Sequence, residues 1–299
     1  MSADLGLPPN FLWNFAKGAS HAYRTYDVKK KDGNVRTIHH PSKQLKGMQR
    51  WLVDAIISKW PVHPAATAYR TGKSIFDNAS AHAASKYLLR MDCQDFFPSI
   101  TELDIKHFIA DKPTLFPDWD AYDIEAFCRL ICKEQRLVIG APSSPSLSNA
   151  LCFDMDSELA ALAGKYSVVY TRYADDLFFS SAVPNVLADV QVAVETIVAS
   201  QKIPGELKIN AAKTRHSSKR GTRRVTGIVL GSDGKPHIGR RLKRRIRSMV
   251  HKYDELDGPT RQSLAGLIAY AIGFEPGFLN SLIQKYGFPT IHKARYPNR

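Results

Sequence analysis

The sequence predicts a mixed α/β fold built on an antiparallel sheet with acidic residues at one end. Two β-type runs within residues 168–180 flank a short polar turn that holds Asp175 and Asp176. An apolar run at residues 87–91 predicts a buried strand that ends in Asp92. Helical patterns lie before, between and after these strands, which is typical of a sheet packed against helices.

The Asp-Asp turn is the first candidate for a functional site. Neighbouring side chains of a straight strand face opposite sides of a sheet, but the tip of a tight hairpin relaxes that rule. Asp175 and Asp176 are therefore both able to reach one metal centre. Two carboxylates between apolar strands are costly near a core unless a cation neutralises them. An isolated Asp-Asp pair is more often an ordinary acidic turn, so its assignment depends on the rest of the chain.

Length and charge restrict the class of protein. The 299 residues are enough for one large domain or roughly two to three small subdomains. Hydrophobic residues make up 44% of the chain and charged residues 23%, which is a globular balance. The formal net charge of +14 favours a polyanionic partner, and nucleic acid is the default expectation.

Cysteine usage and hydropathy indicate a reducing cytosol. Neither disulfide nor zinc-ligand spacing is found among the four cysteines, which favours free buried thiols at Cys93, Cys128, Cys132 and Cys152. No apolar run approaches the ~20 residues that span a membrane, and the N-terminus lacks a basic run followed by an apolar stretch. We therefore expect a cytoplasmic protein with no membrane partner.

The N-terminal part of the chain predicts a basic hairpin followed by a helix. An Asp-Gly pair at residues 32–33 lies between two extended runs, which is a strong hairpin signal. The hairpin holds Lys29, Lys31 and Arg36, and a solvated basic hairpin is the alternative to a ligand-binding one. Ser42 is the expected N-cap of the helix that follows.

Later segments alternate between helical and extended patterns. Thr101 and Asp104 have the spacing of a capping box at a helix start. The patterns beyond predict helices at residues 121–133, 147–162 and 186–200 and a strand at residues 223–230. Asp154 and Asp156 are two apart on one of these helices, so they point to different sides and make a poor metal pair. A Gly/Pro-rich turn at residues 231–239 predicts a subdomain boundary.

The order of the acidic elements is the plan of a polymerase palm. A strand with Asp92 and a helix come first, then a loop and helix, and then the Asp-Asp hairpin. Nucleotidyl transfer by two metal ions needs carboxylates from adjacent strands. Mg²⁺ prefers oxygen ligands and keeps several positions for substrate phosphates, so few protein carboxylates suffice. Asp92, Asp175 and Asp176 meet this demand if their strands pair.

Several motifs, in the right order, resemble those of reverse transcriptases. They are the hairpin Tyr173-Ala174-Asp175-Asp176, the first aspartate motif Asp92-Cys93-Gln94-Asp95-Phe96-Phe97-Pro98-Ser99-Ile100, the template- and nucleotide-binding loop and helix at residues 140–149, the lysine motif Asn210-Ala211-Ala212-Lys213-Thr214 and the fingers hairpin at residues 29–36. Together they cover about residues 25–250. All of them follow the order found in reverse transcriptases, which makes a chance match very unlikely.

Two shorter motifs narrow the resemblance to one branch. Residues 78–82 match the Asn-Ala-x-x-His motif of bacterial retron reverse transcriptases, and Val225-Thr226-Gly227 matches their Val-Thr-Gly motif. Each is short, and the first is also compatible with a plain helix pair four residues apart. Both lie in the expected places beside the palm motifs, so the chain is identified as a member of the retron reverse transcriptases.

The resemblance implies roles for particular residues. Asp92, Asp175 and Asp176 would be catalytic and would bind two Mg²⁺ together with the main-chain carbonyl of Cys93. The residues implied to bind the nucleotide are Lys31, Arg36, Asp95, Phe96, Phe97, Ala141, Pro142 and Lys213. The residues implied to bind RNA are Asn78, His82, Val225, Thr226, Gly227, Arg240, Arg241, Arg244 and Arg245.

The resemblance gives Phe97, Lys213 and Ile139 distinct consequences for nucleotide binding. Phe97 takes the place of the steric gate that excludes a ribose 2′-hydroxyl, and a core aromatic residue is the alternative. Lys213 is implied to assist pyrophosphate departure, with a solvated lysine as the alternative. Relatives have Pro-Gln before the Gly-Ala-Pro of the loop, whereas this chain has Val138 and Ile139. An isoleucine cannot make the polar nucleotide contact of a glutamine.

The implied fold is a right-hand polymerase with fingers, a palm of antiparallel sheet plus helices, and a helical thumb. We expect the N-terminal region and fingers at residues 1–85 and the palm at residues 86–232. Fingers helices are expected as an insertion in the palm at about residues 105–140. The thumb is expected at residues 233–299, where arginines and lysines crowd one helix start.

The implied activity is RNA-directed DNA synthesis from dNTPs. Retron enzymes copy part of a structured non-coding RNA into branched msDNA, starting from a 2′-hydroxyl of that RNA. The resemblance also implies an anti-phage role with an effector protein, and removal of RNA by a host RNase H. The alternatives are another bacterial reverse transcriptase, such as a diversity-generating one, and a non-catalytic RNA-binding scaffold that restrains a toxic effector.

Overall fold

The computed structural model describes residues 2–29, 33 and 35–297. Lys31, which the resemblance assigns to the nucleotide, lies outside the described residues. The α-helices are α1 Ser2–Leu5, α2 Pro9–Gly18, α3 Lys43–Ala55, α4 Ile75–His82, α5 Glu102–Asp111, α6 Ala121–Ile131, α7 Ser143–Leu151, α8 Phe153–Lys165, α9 Val186–Ala199, α10 Arg240–His251, α11 Gly258–Phe274, α12 Gly277–Tyr286 and α13 Phe288–Arg295. The strands are β1 Tyr23–Lys29, β2 Val35–Pro41, β3 Tyr87–Gln94, β4 Val169–Tyr173, β5 Asp176–Ser181, β6 Lys208–Ile209, β7 Arg215–Ser218, β8 Arg223–Val225, β9 Ile228–Leu230 and β10 Pro236–His237.

The central sheet is antiparallel, and β3 is its middle strand. One edge of β3 pairs with β5, and β5 pairs with β4 through the predicted hairpin. The other edge of β3 pairs with β7 and, near the carboxyl end of β3, with β6. The strands with Asp92 and with the Asp-Asp turn are therefore direct neighbours, as the palm plan requires.

Helices cover one face of this sheet. Leu89 and Met91 of β3 and Leu177 and Phe179 of β5 are buried against α8 and α9. Their spacing of two residues puts them on the same side of the pleat. This layer is the core of the predicted palm.

The opposite face of the sheet packs against α4 and the β8–β9 hairpin. Leu88 and Phe178 are buried there beside Ala79 of α4 and Ile228 of β9. Because side chains alternate along a strand, Arg90, Asp92 and Asp176 project from this same face. The acidic end of the sheet thus lies beyond the part that α4 covers.

A separate core supports the helices before and after β3. Trp60 is buried among three phenylalanine rings at centroid distances of 5.0, 5.3 and 5.7 Å, which belong to Phe108, Phe116 and Phe127. Ser42 caps α3 as predicted, because its hydroxyl accepts the Leu45 N–H. The thumb helices α10 to α13 enclose a third core around Ile246, Leu264, Ile268 and Leu282.

The hairpin β1–β2 docks on the loop before α7. The His39 N–H donates to the Ile139 carbonyl over 2.8 Å. Gly140 has φ +113°, and an added Cβ would lie 2.6 Å from the His39 carbonyl oxygen. Only glycine fits such a close approach of two backbones. The hairpin is therefore held beside the motif predicted to bind the nucleotide.

Four sequence expectations about elements differ from the structure. The helix predicted at residues 147–162 is two helices, α7 and α8, which break at Cys152. The strand predicted at residues 223–230 is the hairpin β8–β9, and Thr226 at its turn has φ +47°. Helix α4, assigned to the N-terminal region, packs on the palm sheet instead. Strand β10, assigned to the thumb, extends the small β8–β9 sheet.

None of the helices formed by the described residues combines the length and the apolar character that crossing a membrane requires.

Candidate active site

Strand register brings the acidic motifs together. Asp92 and Asp176 are directly paired across β3 and β5. Tyr173 pairs with Asp176 across the hairpin, which leaves Ala174 and Asp175 as its two-residue turn. Ala174 has φ +55°, a left-handed conformation that costs a non-glycine residue free energy and is found at functional sites.

Main-chain hydrogen bonds fix the turn against β3. The Cys93 N–H donates to the Asp175 carbonyl over 2.8 Å. The Asn210 N–H donates to the Asp92 carbonyl, also over 2.8 Å, at the edge where β6 pairs. Three sequence motifs, from Asp92, Asp175 and Asn210, therefore meet in one hydrogen-bonded unit.

Two cationic side chains contact these carboxylates. The Lys213 Nζ donates to Asp92 Oδ1 over 2.8 Å, and Asp92 is buried. The Arg90 guanidinium is bidentate on Asp176, with Nε at 3.0 Å and Nη2 at 2.8 Å from Oδ1. A cationic partner for Asp92 and one for Asp176 lower the cost of burying these two charges.

Burial and crowding shift the acidity of the two turn aspartates. Burial raises the pKa of Asp176 to about 6, and the Arg90 guanidinium opposes that rise. Burial also raises the pKa of Asp175, and the charge of Asp92 adds to it while Lys213 and Arg36 oppose it. Ionising both carboxylates is thus costly in the metal-free protein, which is the electrostatic condition that a bound cation would relieve.

This shift gives a stability prediction for Asp176→Asn. The folded pKa of about 6 exceeds the ordinary 3.8, so the protonated form is favoured in the folded state. The resulting stability is fully present below pH 3.8 and is lost as pH rises through about 6. Asn stays neutral. Without divalent metal, the free energy of unfolding of the variant should therefore be about 1–3 kcal/mol higher than that of the parent at neutral pH. Urea unfolding between pH 4 and 8 measures the difference, which should shrink towards pH 4.

Asp189→Asn is the control for that experiment, because Asp189 is an exposed carboxylate on α9. It removes the same charge without relieving a buried one. If both variants changed the unfolding free energy equally, or if the Asp176→Asn gain did not depend on pH, burial of Asp176 would not be its cause.

The donor set fits a divalent cation chemically, although the side chains are not arranged as a cage. Among the described residues, no group of three or more His, Cys, Asp and Glu side chains is placed to hold a metal ion. Asp92 and Asp176 instead contact Lys213 and Arg90. Burial raises the pKa of the Cys93 thiol well above its usual range, so only its carbonyl oxygen suits a hard cation.

The predicted nucleotide residues fall into two groups. Phe97 is half-buried, with its ring centroid 5.5 Å from that of Phe96 and 6.4 Å from that of Tyr69. Asp95, three residues after Asp92, is exposed, and Pro142, two residues after Gly140, is half-buried. Both side chains therefore reach the surface. Arg36 on β2 is exposed, and its charge influences the pKa of Asp175.

Two members of that set do not offer side chains to a ligand. Phe96 and Ala141 are only 5% and 4% accessible. The Arg172 guanidinium lies 5.9 Å from the centre of the Phe96 ring, inside the palm core. Any nucleotide contact from these two residues has to come from the main chain. Their assignment to the nucleotide stays a prediction, because both side chains are packed in apolar surroundings.

Asn78 and His82, which are predicted to bind RNA, have side chains that lie inside the protein. Both are fully buried on the side of α4 that meets the sheet. The His82 ring contacts the Ser180 Oγ at 2.7 Å and the Thr171 Oγ1 at 2.8 Å. The Thr171 hydroxyl in turn donates to Asn78 Oδ1. Burial lowers the pKa of His82 to about 3, so its ring is neutral and joins α4 to the sheet.

The remaining RNA set is divided between core and surface. Val225 is fully buried, Thr226 is half-buried and Gly227 is exposed, so only the turn of the β8–β9 hairpin is accessible. The assignment of Val225 to RNA stays a prediction, and its buried side chain leaves only its main chain for such a contact. On α10, the exposed cations of the predicted set are Arg240, Arg241, Arg244 and Arg245.

Two functional positions escaped the sequence analysis. Arg90 contacts Asp176, which lies 86 residues later in the chain. The one sequence feature that could have indicated this role is its position two residues before Asp92, on the same face of the strand. Arg172, which directly precedes Tyr173, is fully buried and forms a bidentate ion pair with Asp156. Its Nε lies 2.8 Å from Asp156 Oδ1 and its Nη2 lies 2.6 Å from Asp156 Oδ2. It also donates to the Ala174 carbonyl over 3.3 Å, so it holds the main chain of the Asp-Asp turn by a hydrogen bond from the protein interior.

Comparison with known proteins agrees with this geometry. The family model for reverse transcriptase (RNA-dependent DNA polymerase) matches residues 28–230. The retron Ec83 reverse transcriptase of Escherichia coli is 35% identical over 287 residues, which span 94% of this chain and 91% of the relative. The retron Ec86 reverse transcriptase of Escherichia coli is 29% identical over 289 residues, which span 93% of this chain and 86% of the relative.

Solved structures support the fold. A telomerase of Candida albicans, in complex with a fragment of telomeric RNA, aligns with a TM-score of 0.53 and 11% sequence identity. The alignment covers 91% of this chain but only 56% of the telomerase, so the chain spans little more than half of that protein. The predicted mixed α/β right-hand polymerase fold is confirmed. With the family match and the coverage of its relatives, the chain belongs to the reverse transcriptases, RNA-dependent DNA polymerases, and among them to the retron reverse transcriptases.

Proposed function

We propose that this enzyme copies part of a structured non-coding RNA into branched msDNA, primed by a 2′-hydroxyl of the same RNA. The observation that supports it most directly is the register that pairs Asp92 with Asp176 and places Asp175 in the adjoining turn. The retron membership of the chain supports this product rather than that of a diversity-generating enzyme. We further propose an anti-phage role with an effector protein, and a host RNase H that removes copied RNA.

The proposed cofactor is a pair of Mg²⁺ ions held by Asp92, Asp175, Asp176 and the Cys93 carbonyl. Bound there, the ions would activate the attacking hydroxyl and stabilise the leaving pyrophosphate. The chain's own residues prepare for this. Arg90 contacts Asp176 and Lys213 contacts Asp92, and with a cation bound to these carboxylates Lys213 would be free to face the departing phosphates.

Substrate selection would come from residues around that centre. Arg36, and Lys31 beyond the described residues, would neutralise the triphosphate, with the planar guanidinium suited to bidentate contacts. Asp95, Phe97 and Pro142 would shape the nucleotide pocket. The Ile139 carbonyl accepts a hydrogen bond from the His39 N–H of β2, and its side chain is apolar. The nucleotide contact that a glutamine side chain makes in relatives therefore has no counterpart here.

Phe97→Ala should relax the exclusion of ribonucleotides. The aromatic ring would clash with a ribose 2′-hydroxyl, and the smaller side chain leaves room for it. The ratio of dNTP to rNTP incorporation should fall roughly 10-fold or more, measured from single-nucleotide extension with each substrate. Phe97→Tyr retains the bulk and should retain the ratio. An unchanged ratio in the Ala variant would return Phe97 to a packing role.

Exposed arginines on α10 would hold the RNA duplex through its phosphates. Folded RNA presents phosphates and 2′-hydroxyls across a shallow groove and hides base edges in its deep one. Replacing Arg241, Arg244 and Arg245 with Ala should weaken binding to cognate and unrelated structured RNA alike. The salt dependence should flatten by somewhat less than one unit of slope for each lost phosphate contact.

The measurement is RNA affinity over a salt series for the parent and the α10 variant. A control variant with Ala at Lys59, Lys165 and Lys202 removes three exposed charges elsewhere. If the α10 variant kept the parental slope, or lost affinity only for the cognate RNA, α10 would not be a general phosphate clamp. An equal loss in the control variant would assign the effect to net charge.

We propose fingers, palm and thumb at residues 1–85, 86–232 and 233–299, with α4 packed across the first boundary on the palm sheet and β10 paired across the second with β9. The separate cores around Trp60, Phe179 and Ile268 support three units. A cytoplasmic location is also proposed, because all four cysteines are free and buried.

Sequencing the nucleic acid that copurifies with the protein tests the proposed function. Expression beside its neighbouring non-coding sequence should yield a short single-stranded DNA joined to RNA by a 2′,5′ bond. Treatment with a debranching enzyme should release the DNA from the RNA. A product that is unbranched, or that lacks an RNA partner, would contradict the msDNA assignment.

A further inference from the structure

A basic cavity lies where the small β-sheet meets the start of α10. Its volume is about 480 Å³, and its lining includes four cationic residues, Lys219, Arg223, Arg240 and Lys243. The lining carboxylate Asp233 contacts the His237 Nε2 at 3.0 Å. Glu275 contacts Lys243 and His237 from beside the cavity. The cavity therefore has a cationic excess even with both acids counted.

Arg223 is the unusual member of this set. It is 1% accessible, and its guanidinium donates to three main-chain carbonyls, of Ser85, Leu230 and Gly231. No carboxylate of the described residues forms an ion pair with it, and its Nε is buried without a hydrogen-bond partner. A buried charge that lacks a counter-ion is costly, because carbonyl dipoles solvate it without neutralising it.

The other fully buried arginine shows the usual arrangement. Arg172 is 0% accessible, and its guanidinium forms a bidentate ion pair with Asp156. Both arginines are buried, and within the described part of the chain an acid pairs with Arg172 but not with Arg223. The missing negative charge at Arg223 points to an anion from outside the protein.

The start of α10 adds donors to the same cavity. Gly239 and Arg240 line it, and Gly239 provides no side-chain cap for the first N–H groups of the helix. Uncapped N–H groups and the helix dipole favour an anion at that end. Lys219 and Arg240 are exposed at the rim, so a ligand can enter from solvent.

We propose that this cavity binds a phosphate group, with Arg223 as the buried counter-charge and Lys219, Arg240 and Lys243 around it. A phosphate offers several acceptor oxygens, which suits a guanidinium and an uncapped helix end. Two sources carry this chemistry, namely the sugar-phosphate backbone of a bound RNA and a free phosphate or nucleotide. The RNA source rests on the proposed function, whereas the anion site itself does not.

Calorimetric titration of nucleic-acid-free protein with inorganic phosphate tests the site. At constant ionic strength, the parent should bind phosphate saturably. Lys219→Gln combined with Arg240→Gln should weaken that binding at least about 10-fold, since each lost charged hydrogen bond contributes to affinity. These rim residues are exposed, so the variant avoids the folding risk of changing Arg223. Arg220→Gln with Lys252→Gln is the matched control, because both are exposed and neither lines the cavity.

Equal affinities in the rim and control variants would overturn the proposal, as would the lack of saturable binding by the parent. Repeating the titration with RNA-loaded protein distinguishes the sources. Loss of phosphate binding would assign the cavity to an RNA phosphate, and retention would assign it to a free phosphate or nucleotide; both support the site. Asp175→Asn protein should bind phosphate like the parent, so failed DNA synthesis and a failed anion site are separate results.

Discussion

Asp92→Asn, Asp175→Asn and Asp176→Asn should each abolish DNA synthesis while the protein stays folded. Each replacement removes one negative charge from the centre where β3 and the β4–β5 turn meet. Metal-assisted charge stabilisation is worth several kcal/mol, so the expected loss is about 10³-fold or more. The measurement is primer extension with Mg²⁺, next to urea unfolding of each variant. Chelation of divalent metal should stop the parent in the same way.

Asp189→Asn is the control, because it removes an exposed carboxylate in the first turn of α9 and should extend primers like the parent. Mg²⁺-dependent extension by any single folded variant of the trio would count heavily against the assignment. The same proteins also address the scaffold alternative. If the inactive variants still bind RNA and still restrain an effector, that role is separable from catalysis.

Local signals made much of this site predictable from sequence. The Asp-Asp hairpin and the Thr101–Asp104 capping box depend on neighbours within a few residues, and both are present as expected. Pairing of β3 with β5 is not local, but both strands are strongly apolar; β3 has Asp92 near its end, and β5 begins at Asp176. Their juxtaposition follows once they share a sheet.

Tertiary packing decided what the sequence could not. Asn78 and His82 have the right spacing for one face of α4, but spacing does not say whether that face meets solvent or the sheet. The break at Cys152 has no Gly or Pro to mark it. Arg90 gave no sign of its partner, because Asp176 lies on another strand.

The buried ion pair under the hairpin should be the most sensitive point of the fold. Arg172 and Asp156 are both 0% accessible, and the pair joins β4 to α8. The Tyr170 hydroxyl donates to Asp156 over 2.7 Å, and Arg172 also donates to Asn149 over 3.2 Å. Removing one partner leaves the other charge buried and uncompensated, which costs far more than the pair itself contributes.

Asp156→Asn should therefore lower the free energy of unfolding by about 3–5 kcal/mol, and Arg172→Met should cost a similar amount. The double variant Asp156→Leu with Arg172→Met should recover much of that loss, because it leaves no unpaired charge. Urea unfolding of the single and double variants measures the coupling. The exposed pair Lys202–Asp111 is the control, and its neutralisation should leave stability unchanged within error. Additive losses in the double variant would mean that the two side chains stabilise the fold independently, and not by neutralising each other.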